Sequence, residues 1–572
     1  LPVQNSEIAK ILGEVADLLA VEGANQFRVR AYRKAARTIA TLSRNVHEMV
    51  DQGEDLSRLA GVGRDLAGKI EEIARTGRLQ QLEELRRQGG RELGEVLKVG
   101  GLGPKRARQL RDRLGVRNLE DLERAARQGE VRRLSGFGAK TEQKILRGLD
   151  AARRAGSRTL YSEAREVMEG MLSHLRGVEG LQRAAAAGSY RRRRDTVGDL
   201  DILVVCQESS RAMEVFAAYE DVAEVLSQGA TKSSVVLRSG LQVDLRVVEP
   251  ASWGAALVYF TGSKDHSVKL RNRALQRELK LNEYGVWAGD QRRAGASERE
   301  VYAALGLPMI PPELREDRGE VEAAAAGRLP RLVELGDLRG DLHTHTDRTD
   351  GRDSLEEMAR AAAERGLEYL AVTDHSQRVT MAKGLDAAGL DEQRAAVERV
   401  QKEVPGLRLL KGVEVDILED GSLDLPDEAL RDLDVVVAAA HYHNDLPRDR
   451  QTERLIRAMD NPLVNILAHP TGRLLGKRPA YQVDLERLIA AAAERRCILE
   501  LDSQPDRLDL NDLHLKAAKE AGARVAINTD AHSGRELGFA AYGVNQARRG
   551  WLEAGDVVNT RRLNHLRPML KR

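Results

Sequence analysis

Cysteine is almost absent from the 572-residue sequence: Cys206 and Cys497 stand far apart, each inside an apolar, strand-like run. So few thiols exclude a disulfide-stapled scaffold and suit a reducing compartment, with both read as core residues. Long hydrophobic runs are missing too. No stretch of about 18 apolar residues occurs, which excludes a membrane-spanning helix. Leu1 to Lys10 has neither a basic nor an apolar segment of signal-peptide type, so a cytoplasmic location without a membrane partner is expected. Net charge is nearly absent, at +2. What is present is 42% hydrophobic and 31% charged residues, enough for several cores and roughly three to five domains.

The small net charge hides an asymmetry. Residues 1–160 carry +10, residues 161–315 are neutral, and residues 316–572 carry −8 with nine of the twelve histidines beyond residue 340. A basic first third suits a phosphate backbone, and an acidic, histidine-rich last part suits metal capture.

The first 155 residues read as short helices punctuated by glycine turns, with no alternating strand. Strand-like runs then follow at Leu200–Val205, Ser234–Leu237 and Leu241–Val248. Trp253–Pro312 reads as mixed helix and loop. Pro308, Pro311, Pro312 and the alanine run Ala323–Ala326 read as a domain end and linker. After about residue 337, short apolar strands ending in polar clusters alternate with helical stretches. Seven such strands, ending near His343, Asp374, Glu414, His441, His469, Glu500 and Asp530, predict a distorted (β/α)7 barrel whose strand C-termini converge on one face.

Three segments share one plan: 56–70, 96–110 and 131–145. Each sets an apolar residue between two glycines at a helix–helix turn: Gly61 and Gly63, Gly101 and Gly103, Gly136 and Gly138. Such turns let a phosphate approach backbone N–H groups at a helix N-terminus, positioning DNA without reading sequence. The first and third resemble the helix-hairpin-helix turns of family X DNA polymerases, and Tyr32, in RAYRKAA, matches the motif of that family's small lyase domain. The resemblance puts a Schiff-base lysine at Lys69. Asp65 stands where relatives often carry a second lysine, which weakens the field that would lower an amine pKa.

In GSYRRRRDTVGDLDILVV, Asp199 and Asp201 lie two apart on a strand and leave its same face, and Asp244 is positioned to join them from a neighbouring strand. Three carboxylates suit two ions, Mg²⁺ or Mn²⁺, for nucleotidyl transfer. Gly188 and Ser189 begin a turn suited to triphosphate oxygens, with Arg192 supplying positive charge. This resembles the nucleotidyltransferase core, and YFTGSKDHSVKLRNRAL with LNEYGVW narrows the likeness to the family X thumb. The resemblance implies that Tyr259, Phe260 and Gly262 line the nucleotide's sugar pocket and that Arg271 lies near the template. Ser267 replaces the usual asparagine.

Further on stand the clusters HTH at 343–345, Asp350, TDH at 373–375, GVE at 412–414, AAAHYH at 438–443, AHP at 468–470 and TDAH at 529–532, each at or just beyond a predicted strand end. These clusters resemble the PHP (polymerase and histidinol phosphatase) domain. The resemblance implies a ligand set of His343, His345, Asp350, His375, Glu414, His441, His469, Asp530 and His532, three divalent ions, Mn²⁺ or Zn²⁺, a bridging Glu414, and water activated against a phosphodiester. Asp350 fills a slot often given to histidine. His443 is read as outside the ligand set, and Asp502, Arg507 and Arg473 as shaping the substrate pocket.

The expected organisation is a small helical lyase-like domain at 1–80, a helix-hairpin-helix fingers region at 81–155 and an α/β palm at 156–250. A thumb at 251–312, a linker at 313–336 and the PHP barrel at 337–572 complete it. The expected function is gap-filling repair synthesis from dNTPs on gapped or primed duplex DNA, with 3′–5′ exonuclease or related phosphoesterase or abasic endonuclease action at 3′ ends. Two alternatives are a PHP domain that only clamps DNA and a template-independent nucleotidyltransferase.

Overall fold

The computed structural model describes residues 5–21, 24–40, 42, 46–87, 96, 102, 104–138, 141–142, 145–146 and 158–570. The chain divides into two compact units, Leu1–Ser157 and Arg158–Arg572. Among the described residues, no helix is long and apolar enough to cross a membrane.

The first unit is helical, with no strand among its described residues. In helix Gln26–Ala40, Val29, Tyr32, Ala35 and Ile39 recur at three- and four-residue spacing and are all buried. They meet Ile8 and Leu12 of helix Asn5–Val21 and Ile70 and Ile73 of helix Arg64–Thr76 in one core. A second small core gathers Leu110, Leu122, Val131 and Phe137.

The second unit begins with a five-stranded sheet in the spatial order Leu181–Ala186, Asp199–Cys206, Gln242–Val247, Lys232–Leu237, Val222–Gln228. Two of these strands are absent from the sequence expectation. Leu181–Ala186 is alanine-rich, and Val222–Gln228 is an edge strand with most of its side chains exposed, so neither carries alternating hydrophobicity. Residues 253–312 likewise hold a three-stranded sheet, Lys280–Asn282, Gly285–Ala288 and Gln291–Ala294, where mixed helix and loop was expected. Each strand has three or four residues, too few to show a period.

The segment expected as a linker is packed. Helix Glu320–Ala325 buries Val321 and Ala324 in the same core as Val258 and Tyr302. Arg315 is fully buried, donating to Glu298 at 2.7 Å and to the Ile310 carbonyl.

Beyond it, seven parallel strands pair in chain order: Gly340–Asp341, Tyr369–Val372, Arg408–Asp416, Val435–Ala439, Ile466–Leu467, Ile498–Asp502 and Val525–Asn528. A parallel bridge from Thr344 to Ala531 joins the first to the last and nearly closes the barrel. Every residue of the second, fourth and last of these strands is buried, as a parallel sheet covered by helices requires.

Candidate active sites

In the five-stranded sheet, Asp201 pairs in register with Asp244 on the parallel neighbour, and Asp199 lies two residues back on the same face. The three carboxylates therefore share one end of the sheet. Burial together with Asp199 and Asp244 pushes the Asp201 carboxyl up to about 7. Burial pushes Asp244 the same way, but hydrogen bonds from Lys232, Gln242 and Ser234 outweigh it and hold Asp244 below its ordinary value. Lys232 Nζ stands 2.8 Å from Asp244. It reaches this site by strand pairing, which no local pattern signals.

Gly188 opens the short helix Gly188–Arg191 at φ 63°, and a Cβ there would lie 2.4 Å from an Asp201 oxygen. Only glycine permits this approach of backbone to carboxylate. Ser189 follows on the same turn. Arg192 is not a free cation: its Nε donates to Glu316 at 3.1 Å and its Nη1 to the Thr261 carbonyl at 2.5 Å.

Thr261 ends helix Trp253–Thr261, which carries Tyr259 and Phe260, and Gly262 stops that helix at φ 66°. Phe260 lies under the Arg246 guanidinium, 4.4 Å from its ring centre. Tyr259, Ser267, Arg271 and Asn282 line one narrow pocket, and the buried Ser267 hydroxyl lacks a hydrogen-bond partner there.

In the first unit the 56–70 and 131–145 turns follow one plan. A short 3₁₀ turn precedes a glycine in the left-handed region, Gly61 at φ 80° and Gly136 at φ 84°. Gly63 and Gly138 then accept hydrogen bonds from Ala67 and Glu142, opening the next helices. Gly101 and Gly103 of the middle segment lie outside the described residues. Lys69 donates to Asp65 at 2.6 Å, and its ammonium stands 5.3 Å from the Tyr32 ring centre. Burial pushes the Lys69 amine down, but Asp65 and Tyr32 outweigh it and hold its pKa above the ordinary value.

The barrel face brings all nine of its candidates together around Glu414, which is 1% exposed. His375 Nδ1 lies 2.7 Å from a Glu414 oxygen, His469 Nε2 3.0 Å, His441 Nε2 3.3 Å, His343 Nε2 3.5 Å and His345 Nε2 3.6 Å. Three overlapping groups bring potential ligand atoms within 4.8 Å of one another: His345, Asp350, His375 and His532; His343, His345 and Asp530; His375, Glu414 and His441. His469 and Asp530 hold positive φ, 26° and 49°, a costly backbone state that tends to persist at functional sites. His443 stands outside these groups, and so does the candidate His469, which joins them only through its contact with Glu414.

Burial pushes the His375 imidazole down, yet Glu414 and Asp350 outweigh it and hold it up at about 10. His441 and His532 are likewise held at about 9 against burial, chiefly by Glu414 and Asp350 respectively. The buried His345 Nδ1 lacks a hydrogen-bond partner, and His375 Nδ1 and Glu414 Oε2 face each other at 2.7 Å without hydrogen-bond alignment. Three carboxylates, six imidazoles and unpartnered donor atoms make a set suited to divalent cations.

Behind the nine stand carboxylates to which sequence reasoning assigned no role. His343 Nδ1 meets Glu500 at 2.8 Å, and Glu500 also accepts from the His469 backbone N–H and from Asn528. His441 Nδ1 meets Asp416 at 3.1 Å, while Asp374 accepts from Thr346, Thr349 and Gln393. Asp416 was open to discovery, since in GVEVD it sits two residues after Glu414 and so on the same strand face. Arg507 pairs with the buried Asp502 at 3.3 Å.

Family models match five stretches: a helix-hairpin-helix domain at 3–79, a SAM-like helix-hairpin-helix tandem at 93–151, the DNA polymerase beta palm at 159–256, the DNA polymerase beta thumb at 256–316 and the PHP domain at 341–504. The protein named DNA polymerase/3′-5′ exonuclease PolX from Bacillus subtilis (strain 168) is 38% identical over 574 residues, covering 100% of both chains. The chain belongs to the family X DNA polymerases that carry a PHP domain. The family X polymerase likeness spans all its parts, whereas a second group of relatives matches little more than a third of the chain. A probable phosphatase of Thermoanaerobacter sp. (strain X514) is 31% identical over 231 residues, 38% of this chain and 89% of the phosphatase. Another from Caldanaerobacter subterraneus subsp. tengcongensis is 32% identical over 203 residues, 34% of this chain and 75% of that protein. In this family X polymerase a PHP domain is joined to a palm and thumb.

Proposed function

We propose that this chain extends primer 3′ ends across gaps in duplex DNA from dNTPs and removes nucleotides from 3′ ends in its PHP barrel. The observation that carries the polymerase half is the register of Asp201 with Asp244, which gathers three carboxylates beside the Gly188 turn. Convergence of eight further potential ligands around Glu414 carries the nuclease half, and a full-length relative named for both activities supports the pairing.

Asp199, Asp201 and Asp244 would hold two ions, Mg²⁺ or Mn²⁺. The nine barrel groups would hold three, Mn²⁺ or Zn²⁺. Ions of this class, when bound, neutralise developing phosphate charge and make water a nucleophile at neutral pH. The chain's own residues do the rest. Gly188 and Ser189 present N–H and hydroxyl donors to the triphosphate, Tyr259, Phe260 and Gly262 hold its sugar, and Arg271 lies toward the template. Glu500 and Asp416 accept hydrogen bonds from Nδ1 of His343 and His441, which fixes each ring with its Nε2 toward Glu414, where it would offer a lone pair to a bound ion. The Gly61–Gly63 and Gly136–Gly138 turns hold the DNA backbone, and Gly101 and Gly103 are proposed for the same role from their sequence alone. Lys69 is the candidate lyase nucleophile.

The test uses a gapped duplex with Mg²⁺ or Mn²⁺. Asp201→Ala is expected to lose at least about 10³-fold in nucleotide addition while keeping 3′-end degradation. His343→Ala and His469→Ala should show the reverse. Normal extension by Asp201→Ala, or parent-rate degradation by a folded His343→Ala/His469→Ala double variant, overturns the corresponding assignment. Loss of both activities in the barrel variants favours the DNA-clamping alternative.

A further inference from the structure

The palm and the barrel meet through buried ion pairs that the proposed chemistry does not use. Arg549 ends the barrel helix Ala540–Arg549 and is 2% exposed. Its Nη1 donates to the Arg192 backbone carbonyl at 2.7 Å and to Glu316 at 3.0 Å, and its Nη2 to Asp512 at 2.6 Å. Glu316 also accepts from Arg192 Nε, and the same Arg192 guanidinium holds the Thr261 carbonyl. An unbroken path therefore runs from the barrel helix through Glu316 and Arg192 to the residue between Phe260 and Gly262.

Three further features bear on this path. Arg191 grips Thr261 and Glu298 from the same short helix, so Thr261 is held from the palm side on two atoms. Arg473, in the barrel loop after His469, reaches Asp195 at 3.3 Å, four residues before Asp199. A cleft of about 700 Å³ opens along the same seam, between Tyr190 and Arg193 of the palm and Val544 and Arg548 of the barrel. Close packing is interrupted there, so the directional ion pairs carry the alignment of the two faces.

We propose that Arg549 is a positioning residue for nucleotide binding: it sets Glu316 and Arg192, and through Thr261 it places the Tyr259–Gly262 segment against the incoming nucleotide. The barrel thus serves the polymerase site as a fixed support, apart from its own chemistry. This rests on the reading of Tyr259, Phe260 and Gly262 as the sugar pocket.

The test is steady-state single-nucleotide incorporation by the full chain on a primed template, with 3′-end degradation measured in parallel. Arg549→Ala should raise KM for the nucleotide about tenfold while kcat stays within about twofold and degradation is unchanged. Glu316→Gln should raise KM similarly, and the double variant no further than the larger single effect, because both act through one path. Where Arg549→Ala fails to fold by circular dichroism, Arg549→Lys is measured instead. Its single ammonium cannot span all three acceptors, so the same rise in KM is expected. Tyr259→Ala separates the two ways of failing. An unchanged KM in Tyr259→Ala removes the pocket assignment itself. A raised KM in Tyr259→Ala with an unchanged KM in the Arg549 variant overturns the relay alone, as does equal loss of both activities or an additive double variant.

Discussion

A Schiff-base lysine must be neutral to attack an aldehyde, and Asp65 opposes that at Lys69. The 2.6 Å contact favours the ammonium and shifts the amine's pKa upward. The parent protein is therefore expected to give little borohydride-trapped adduct on an incised abasic substrate at pH 7. Asp65→Asn should raise the yield several-fold, and Lys69→Ala should abolish it. A full adduct in the parent would show that Asp65 does not hold the amine charged, and an undiminished adduct in Lys69→Ala would move the nucleophile elsewhere. Asp244 shows the same logic at the polymerase site, where Lys232 offsets the repulsion among three carboxylates.

At the scale of elements, the helix-hairpin-helix turn depends on its positive-φ glycine more than on any side chain. At Gly136 nothing crowds a Cβ, so an alanine would meet open space and only the left-handed backbone would resist it. Gly136→Ala is thus expected to cost about 1–2 kcal/mol of stability in the first unit and to weaken duplex binding at low salt. Urea titration and fluorescence anisotropy measure the two, and parent-like values in both would mean that the turn tolerates a right-handed substitute. The barrel strands show a different dependence: most are short, so most of the candidate ligands sit just beyond the last paired residue, whereas Glu414 lies inside the nine-residue strand Arg408–Asp416 and is paired with Val437.

Across the whole second unit, buried carboxylates pinned by arginines join thumb, palm and barrel. Burial pushes Glu298 and Glu316 up, but Arg191 with Arg315 and Arg549 with Arg192 outweigh it and hold both at about 2, below their ordinary 4.5. A depressed folded-state pKa means the unfolded chain binds more protons, so this stability is complete above about pH 4.5 and lost as pH falls toward 2. Thermal melts from pH 6 to pH 3 should show a steep fall in the parent. Glu298→Gln and Glu316→Gln should start lower and fall less steeply. Parallel profiles would mean that other groups govern acid unfolding.

Local pattern by itself determined much of this protein. The G-h-G turns, the Asp199–Asp201 alternation and the polar clusters at the barrel strand ends are visible because the period of a strand or the demand of a turn acts over a few neighbouring residues, while resemblance to the PHP domain picked the nine candidates out of those clusters. Seven strand-and-cluster units likewise announced the barrel. Tertiary structure decided what distant segments do to one another. His343 and Glu500 lie 157 residues apart, yet share one hydrogen bond, and Arg549 reaches Arg192 across 357. Lys232 meets Asp244 only because their strands pair in one register. The supposed linker is packed because Arg315 and Glu320 find buried partners, Glu298 and His266, elsewhere in the chain. Such partners leave no local signature, since a charge that will be buried and paired is written with the same letter as one left in water.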